Sequence, residues 1–307
     1  MHELKPGVSA VISTWNKVDD LRENLEALTN QTRPPDQIII VDNHSNDGTP
    51  EMVRSGYKSV CLIVMPDSRA GACETFNIGF KKAQHDFTAI MDDDVVAPPD
   101  WLERLLDRFE KEPESTAMIS SKVVEPEMPD SFLHAQEVNE ERYMSTFRGC
   151  GTLARTEVLA RAGYYDEKFF IYGNERDLAA RVLGLGYRIL QYPSAEIFHK
   201  TPFGMKGGKR SLYYHTRNFW LYAFKNCPWK VVVTSSMKLS LKALGLFKTK
   251  SVARDATGTI GLEESLKSTP GGKWIAFKAT LAAFSLLPYC IARRKVCKSP
   301  DFKPPLA

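Results

Sequence analysis

The first half of the sequence alternates short apolar, β-branched runs with stretches in which apolar residues recur at helical spacing. This alternation predicts strands over residues 8–13, 37–41, 59–65 and 87–91, and helices over residues 18–30, 49–55, 73–84 and 100–111. Strands that alternate with helices build βαβ units, in which a mostly parallel central sheet is flanked by helices. A length of 307 residues, 43% of them apolar, suffices to bury such a Rossmann-like α/β core together with an extension.

The charge is distributed unevenly along the chain. Residues 1–205 carry 22 Lys and Arg against 33 Asp and Glu, whereas residues 206–307 carry 19 against 4. Further periodic segments predict a strand at 117–124, a helix at 174–183 and basic helices at 211–226, 229–247 and 273–292. We therefore expect one α/β domain over 1–205, with halves at about 1–115 and 116–205, and a basic helical region over 206–307.

The basic region also contains tryptophans and long apolar runs, which favour contact with an anionic membrane surface over contact with nucleic acid. The pattern of residues 273–292 fits two structures equally well, a helix lying in the membrane interface and an ordinary helix packed on the core. The N-terminus shows no signal peptide pattern, and the six cysteines form no CxxC pair or even framework. We expect a cytoplasmic protein that is peripheral on the inner face of the cell membrane.

Three consecutive carboxylates, Asp92, Asp93 and Asp94, follow the apolar run of the fourth predicted strand. In an extended chain Asp92 and Asp94 point to one side and Asp93 to the other. A hard dication such as Mn²⁺ or Mg²⁺ offsets such a concentration of negative charge, usually together with substrate phosphates. An exposed acidic turn is the alternative, and the triplet alone leaves the two interpretations open.

Polar and aromatic side chains also follow the first two predicted strands, where ligands of open α/β sheets bind. Asp42 ends the second strand and opens a polar turn, so its carboxylate can accept a hydrogen bond from the imide nitrogen of a uracil or thymine base. Ordinary turn chemistry explains this segment equally well. Trp15 follows the first strand and offers a stacking face for a base, although a single aromatic residue is more often part of a core.

Taken together, these segments resemble the family 2 inverting glycosyltransferases of GT-A fold, over about residues 8–228. The resemblance is carried by ordered motifs, which are Val-Ile-Ser-Thr-Trp-Asn at 11–16, Ile-Val-Asp-Asn-His-Ser-Asn-Asp-Gly-Thr at 40–49, Phe-Asn-Ile-Gly at 76–79, Met-Asp-Asp-Asp at 91–94, Gly-Cys-Gly at 149–151 and Phe-Phe-Ile-Tyr-Gly-Asn-Glu-Arg-Asp-Leu at 169–178. The sequence looks most similar to rhamnosyl- and galactofuranosyl-transferase-type members.

The resemblance implies a nucleotide-sugar half at about 1–115, an acceptor half at about 116–205 and a set of site residues. The implied metal ligands for Mn²⁺ or Mg²⁺ are Asp92, Asp94 and His199. The implied donor contacts are Ser13, Trp15, Asn16, Asp42, Arg69, Asn77, Asp92 and Asp93.

The catalytic base is expected among the acids of residues 174–177. Inverting transfer needs a carboxylate that removes the proton of the acceptor hydroxyl. We prefer Glu175 for this role and keep Asp177 as the second candidate. Both residues also fit a purely structural role as first-turn acids after an Asn174 cap, and Asp177 lies at ion-pair spacing from Arg181.

The predicted activity is transfer of a sugar from a UDP- or dTDP-sugar to a carbohydrate acceptor, expected to be a lipid-linked or cell-envelope glycan. A sugar nucleotidyltransferase is the first alternative, but residues 13–17 lack the glycines that its first loop needs. A non-catalytic carbohydrate- or membrane-binding relative is the second, and the retained carboxylates disfavour it. The sequence contains no Gln-x-x-Arg-Trp string, so we expect a non-processive hexosyltransferase. The sequence leaves the oligomeric state open.

Overall fold

The structure is a computed structural model that describes residues 6–126, 128, 130–201, 208–243 and 262–304. These residues contain one nine-stranded sheet. The strands of the first half are β1 (Val8–Thr14), β2 (Gln37–Asp42), β3 (Cys61–Val64) and β4 (Phe87–Asp92). The later strands are β5 (Val95–Val96), β6 (Thr116–Val124), β7 (Arg142–Tyr143), β8 (Thr152–Arg155) and β9 (Arg188–His199).

The strand order is β3-β2-β1-β4-β8-β6-β9-β5, and β7 pairs with β9. Strands β1 to β4 pair in parallel, β8 runs antiparallel to both β4 and β6, and β9 runs parallel to β6. Because β8 is antiparallel to both of its neighbours, β6 and β9 run in the same direction as β4. The carboxyl ends of β1, β2, β4 and β9 therefore all lie at one edge of the sheet. Asp92 at the end of β4 and His199 at the end of β9 therefore come to the same edge.

Helices cover both faces of the sheet. Those of the first 200 residues are α1 (Val18–Thr29), α2 (Thr49–Gly56), α3 (Ala72–Phe80), α4 (Trp101–Glu110), α5 (Asp130–Leu133), α6 (Gln136–Asn139), α7 (Thr156–Ala162) and α8 (Asn174–Gly184). The C-terminal helices are α9 (Lys209–Asn226), α10 (Trp229–Ala243), α11 (Leu262–Ser268), α12 (Gly272–Ser285) and α13 (Leu287–Ala292).

Alternate residues of the central strands face two separate apolar layers. In β1, Val11 packs in one layer with Phe80 of α3, whereas Ile12 packs in the other with Leu25 of α1. Side chains alternate in this way because successive residues of a strand point to opposite faces. The predicted α/β class, with a mostly parallel central sheet flanked by helices, is confirmed.

The C-terminal helices belong to the same core as the sheet. Leu221 and Phe224 of α9 are almost fully buried and pack in one layer with Phe80 of α3 and Leu178 of α8. The buried side of α9 thus covers one apolar face of the α/β unit. The domain boundary between residues 205 and 206 stays a prediction.

Several predicted boundaries differ from those observed. Strand β3 spans Cys61–Val64, shorter than the predicted 59–65, and α3 ends at Phe80 rather than at residue 84. The helix predicted over 273–292 divides into α12 and α13 at Leu286, because Pro288 cannot donate to the preceding turn. Residues 244–247, at the end of the helix predicted over 229–247, lie outside the described residues. None of the described helices combines the length and the apolar character that crossing a membrane requires.

Candidate active site

Three predicted metal ligands meet at the carboxyl edge of the sheet. The Nε2 atom of His199 lies 3.1 Å from Oδ1 of Asp94 and 3.6 Å from Oδ2 of Asp92. Strands β4 and β9 run in the same direction, so both end at this edge. The antiparallel pair of Val95 with His199 fixes the register of the acidic turn against β9. Asp94 and His199 are buried, at 6% and 5% exposure, whereas the Asp92 side chain is partly open to solvent.

The electrostatics of this cluster are those of two carboxylates that share one positive group. Burial alone would lower the pKa of His199, but hydrogen bonds and charge attraction from Asp92 and Asp94 outweigh it and raise the pKa to about 10. Burial would raise the pKa of Asp94, but the imidazolium lowers it below its usual range. Burial and the charge of Asp94 raise the pKa of Asp93 to about 7.

Two lysines border the cluster. Lys17, which precedes α1, places Nζ 3.3 Å from Oδ2 of Asp94 and 2.9 Å from Oδ2 of Asp20. Lys200 pairs with Asp20 as well, at 3.1 Å, while its backbone nitrogen donates to the Asp94 carbonyl. Lys17 was not predicted from the sequence, although it directly follows the Trp15-Asn16 motif. The cluster thus combines a compact negative centre with basic side chains at its rim.

The donor atoms of the cluster suit a divalent cation. Ligand atoms of Asp92, Cys150 and His199 all lie within 4.8 Å of one another. Two carboxylates and an imidazole are a donor set that Mn²⁺ accepts, since it tolerates both oxygen and nitrogen ligands. Burial raises the pKa of the Cys150 thiol well above its usual value, so the thiol is less suited than the carboxylates to a hard cation. Cys150 lies in the Gly-Cys-Gly motif but was not among the predicted ligands.

The loops after β1 and β2 hold each other in place beside the cluster. The Asn16 backbone nitrogen donates to the Ser45 hydroxyl over 2.8 Å, and the Asn16 side-chain oxygen accepts from the Asn46 backbone over 2.9 Å. Trp15 extends from this pair of loops with 51% of its surface exposed. An exposed indole at the rim of a polar edge is free to stack on a planar ligand.

Asp42 presents a carboxylate oxygen that no described residue satisfies. The residue is fully buried, and its Oδ2 accepts from the Ser45 backbone nitrogen over 3.0 Å. Its Oδ1 is buried and has no hydrogen-bond partner in the described part of the chain. A buried oxygen without a partner is costly, so a donor supplied by a ligand would stabilise it.

Three other predicted donor residues have structural contacts. The Ser13 hydroxyl lies 2.7 Å from the Thr75 hydroxyl. The buried Asn77 amide donates to the Tyr165 carbonyl over 2.9 Å and accepts from the Tyr165 nitrogen over 2.9 Å, which fastens α3 to that loop. The Arg69 side chain is exposed and pairs with Asp67, its neighbour in the same loop. Donor contacts of Ser13, Asn77 and Arg69 stay predictions.

Glu175 lies in the first turn of α8, in a partly buried position next to the Gly-Cys-Gly motif. Helix α8 begins at Asn174, one residue earlier than an Asn174 cap would require, and Gly173 is the residue at the cap position. The Asn174 amide instead donates to Oε1 of Glu175 over 3.0 Å. A Cβ atom added to Gly149 would come 2.9 Å from the same oxygen, so a larger residue at 149 would require the Glu175 side chain to shift. Burial raises the pKa of Glu175 to about 7, and the charge of Asp92 acts in the same direction.

Asp177, two residues further along α8, is fully buried among cations. Its Oδ1 lies 2.7 Å from Nζ of Lys225, and its Oδ2 lies 2.9 Å from the Arg181 guanidinium. Asn226 also donates to Oδ1 over 2.9 Å. Burial would raise the pKa of Asp177, but Arg181 and Lys225 outweigh it and lower the pKa. Both carboxylate oxygens are therefore occupied by internal partners.

The loop that leads into α8 has an unusual backbone, which α9 holds in place. Phe170 and Tyr172 have φ angles of 68° and 66°, in the left-handed region that bulky residues avoid. The Asn218 amide of α9 donates to the carbonyls of Phe169, Ile171 and Tyr172 over 2.7 to 2.9 Å. Such strained residues persist only where surrounding contacts over-determine them, and Asn218 supplies those contacts. Asn218 was not predicted, because nothing local in α9 marks it.

A GT-A fold is defined by this α/β sheet and the acidic cluster at its carboxyl edge. The chain belongs to the family described as Glycosyl transferase family 2, which residues 9–169 match. A mannosyltransferase of Pyrobaculum calidifontis, solved in complex with GDP-Man and Mn²⁺, superposes with a TM-score of 0.57 at 17% identity, over 95% of this chain and 77% of that one. The predicted membership of glycosyltransferase family 2 and the GT-A fold are confirmed, whereas the inverting mechanism and the rhamnosyl- or galactofuranosyl-transferase type stay predictions.

Two curated relatives come from the archaeon Haloferax volcanii. Glycosyltransferase AglE is 31% identical over 104 residues, which cover 32% of this chain and only about a third, 34%, of that protein's length. A glucosyl-dolichyl phosphate glucuronosyltransferase is 24% identical over 217 residues, covering 63% of this chain and 69% of the relative.

Proposed function

We propose that this protein is an inverting glycosyltransferase that moves a sugar from a UDP- or dTDP-sugar to a carbohydrate acceptor, with Glu175 as the catalytic base. The observation that carries the proposal is the contrast within one turn of α8. The carboxyl of Glu175 has a pKa of about 7 and only an amide as its described side-chain partner, whereas the carboxylate of Asp177 is fully used by internal cations.

Glu175 would accept the proton of the acceptor hydroxyl as its oxygen attacks the anomeric carbon. A base is most effective when its pKa lies near the working pH, because it is then both available and basic enough. The Asn174 amide orients one oxygen of Glu175, and Gly149 leaves room beside it. Attack from the Glu175 side, opposite the departing diphosphate, gives inversion at the anomeric carbon.

Asp92, Asp94 and His199 would hold Mn²⁺ or Mg²⁺, with Asp92 as the ligand most open to solvent. A bound dication would neutralise charge on the departing nucleoside diphosphate. His199 holds its proton strongly when the site contains no cation, so binding of metal would release a proton from the imidazole. Lys17 and Lys200 would remain beside the cluster as positive groups for phosphate oxygens.

The donor base would bind between Trp15 and Asp42. The unsatisfied Oδ1 of Asp42 is a hydrogen-bond acceptor for the imide N–H of uracil or thymine, and the exposed indole of Trp15 offers a stacking face. Guanine also carries an N–H next to a carbonyl, so GDP is the natural comparison ligand in a test. Ser13, Asn16, Arg69, Asn77 and Asp93 complete the proposed donor contacts.

The acceptor is proposed to be a lipid-linked or cell-envelope glycan, reached from the inner face of the cell membrane, in single, non-processive additions. Support comes from the resemblance to rhamnosyl- and galactofuranosyl-type enzymes and from the similarity to a glucosyl-dolichyl phosphate glucuronosyltransferase. The basic region after residue 205 supports the same acceptor class, because anionic lipid attracts it.

Isothermal titration calorimetry tests the donor and metal parts of the proposal. We expect UDP or dTDP to bind the wild-type protein with Mn²⁺ present and to bind at least tenfold more weakly without it. The reason is that the cation offsets the negative charge of the diphosphate, so that binding of each favours the other. Asp94→Asn should remove the metal dependence, whereas Asp100→Asn, an exposed acid outside the site, should retain it. Binding of no nucleotide diphosphate by folded wild-type protein would overturn the proposal.

A further inference from the structure

An ordinary surface helix buries its large apolar side chains, whereas helix α12 buries small residues and exposes large apolar ones. Its packed side contains the small residues Ala279 and Ala283, both fully buried. Its outer side contains large apolar residues with about half of their surface exposed. These are Trp274 at 58%, Phe277 at 51%, Leu281 at 54% and Phe284 at 48% exposure. Spacings of three and four residues place them along one stripe of the helix.

Helix α10 carries a second exposed apolar stripe. Trp229, Val233 and Met237 follow each other at four-residue spacing, with 48%, 55% and 59% of their surface exposed. Single apolar residues on a protein surface are common, but contiguous rows of large ones mark an interaction surface. Trp229 also contacts the segment after α13, where the Arg294 guanidinium lies 4.2 Å from the centre of the Trp229 ring.

Among the side chains that the structure describes near the α12 stripe, the charged ones are almost all basic. Those with exposed side chains are Lys273, Lys278, Arg293, Lys295 and Lys298. Among the side chains described after residue 207, the one acidic group is Asp301, and it is neutralised by Arg188 at 2.7 Å. An apolar stripe with a basic border is complementary to an anionic bilayer, where acyl chains receive the apolar groups and headgroups receive the cations.

The packing of α12 also fixes the direction in which the helix runs along α9. The Trp220 indole donates to the Thr280 hydroxyl, and Phe224 packs edge-on against Phe284. Both contacts advance in the same direction, so α12 runs parallel to α9. The Trp274 end of α12 therefore lies towards the end of α9 where Tyr214 stacks on Phe170, in the loop before Glu175.

We propose that the exposed side of α12, defined by Trp274, Phe277, Leu281 and Phe284, lies in the interface of an anionic bilayer. Lys273, Lys278 and the basic residues after α13 would contact the phosphate groups. The helix has 14 residues, about 21 Å at about 1.5 Å per residue, which suits a helix lying along the surface. The link from this surface to a lipid-linked acceptor rests on the proposed function, whereas the docking itself does not.

Vesicle co-sedimentation with the full chain tests the docking surface. The vesicles contain either phosphatidylcholine alone or phosphatidylcholine mixed with phosphatidylglycerol. We expect binding to the anionic vesicles, lost progressively as salt is raised. The double variant Trp274→Ser/Phe277→Ser should bind about tenfold or more weakly, and Lys273→Gln/Lys278→Gln about 25-fold more weakly, at about tenfold per 1.4 kcal/mol and about 1 kcal/mol per lysine.

Matched controls separate this surface from general exposure and charge. Leu185→Ser removes an exposed apolar side chain at the end of α8, and Lys58→Gln removes an exposed charge after α2, so both variants should bind vesicles like the wild type. Because the α12 side chains are exposed, their variants should retain wild-type thermal unfolding. Equal vesicle binding by wild type and both α12 double variants would overturn the proposal.

Two other occupants of the stripe give different results. If a second copy of the chain covers it, sedimentation velocity will show a dimer that Trp274→Ser/Phe277→Ser dissociates, and vesicles will not bind. If a protein partner covers it, the isolated chain will neither dimerise nor bind vesicles. Both results overturn the proposal. UDP and Mn²⁺ binding, measured on the same variants, reports separately on the proposed function, because vesicle binding can persist when nucleotide binding fails.

Discussion

The two ends of the first turn of α8 place two acids in opposite surroundings. Glu175 lies beside the Gly149 backbone and the Asn174 amide, and burial raises its pKa to about 7. Asp177 lies between the guanidinium of Arg181 and the ammonium of Lys225, which lower its pKa. One acid can exchange a proton near neutral pH, and the other stays ionised.

The pKa values of these two acids shift in opposite directions because cations contact Asp177, whereas an amide contacts Glu175. Lys225 lies 2.5 Å from Asp166 as well as 2.7 Å from Asp177, so one buried ammonium links α8, α9 and the segment before the loop at 170–173. Tyr289 of α13 donates to Asp166 over 2.7 Å and extends the same cluster. The C-terminal helices thus stabilise Asp177 in place and leave Glu175 for chemistry.

Replacing Glu175 by glutamine should have the largest effect on activity. Glutamine preserves the shape and the approach to Gly149 but cannot accept the acceptor proton, so turnover should fall by about 10²- to 10⁴-fold. Donor binding, measured by calorimetry with Mn²⁺, should remain within about twofold of wild type because the role proposed for Glu175 is to take the proton of the acceptor. Glu157→Gln, an exposed acid on α7, is the matched control and should retain full turnover. Unchanged turnover in Glu175→Gln would move the base elsewhere.

Replacing Asp177 by asparagine should affect stability instead. The change removes the counter-charge of Arg181 and one of the two carboxylate partners of Lys225 in the interior. We expect it to cost about 3–5 kcal/mol in the free energy of unfolding. The exposed pair of Asp100 and Arg104 has the same four-residue spacing, and Asp100→Asn should cost less than about 1 kcal/mol. Urea unfolding measures both values. Equal losses in the two variants, or loss of turnover per folded molecule in Asp177→Asn, would erase the distinction between Glu175 and Asp177.

Asn218→Ala should have a smaller effect, on the position of Glu175. Without the amide, the carbonyls of residues 169, 171 and 172 lose their common donor and the strained loop before α8 relaxes. We expect the turnover number to fall about ten- to hundredfold with KM for the donor unchanged, since small displacements of a base are costly. Asn218→Asp keeps the size but not the donor and should behave similarly. Asn30→Ala, outside the site, should match wild type. A change in donor KM alone would refute this positioning role.

Much of the fold follows from local sequence patterns. The elements from β1 to α4 were predicted nearly in full, because their strands are apolar over several consecutive residues and their helices repeat every three to four residues. Asp92, Asp94 and His199 could be assigned to one site, and the structure brings them together because parallel strands end at the same edge. The division at Leu286 was not predicted, because the apolar pattern of residues 273–292 continues through Pro288.

The parts that could not be predicted depend on distant contacts. Lys225 follows Asp177 by 48 positions, and nothing in either segment specifies that they form a pair. The sequence therefore left the choice between Glu175 and Asp177 open. The argument for Glu175 depends on the burial and the hydrogen-bond and ion-pair partners of the two side chains. Cys150 and Asn218 are similar cases, since their contacts come from separate strands and helices. In α12 two alanines are buried and large apolar residues are exposed. An apolar run alone does not specify which side of the helix packs against the core.

Titration of the Glu175 carboxyl tests the central claim most directly. Carbon-13 NMR of the glutamate side-chain carbons, with Glu175→Gln to assign the signal, reports the pKa without any substrate. The account predicts a pKa of about 7, so that the base is mostly protonated at pH 6 and mostly ionised at pH 8, and turnover rises across the same interval. A pKa near 4.5, the ordinary value of a glutamate, would contradict this expectation, because the effect of burial that distinguishes Glu175 from an ordinary surface acid would then be absent.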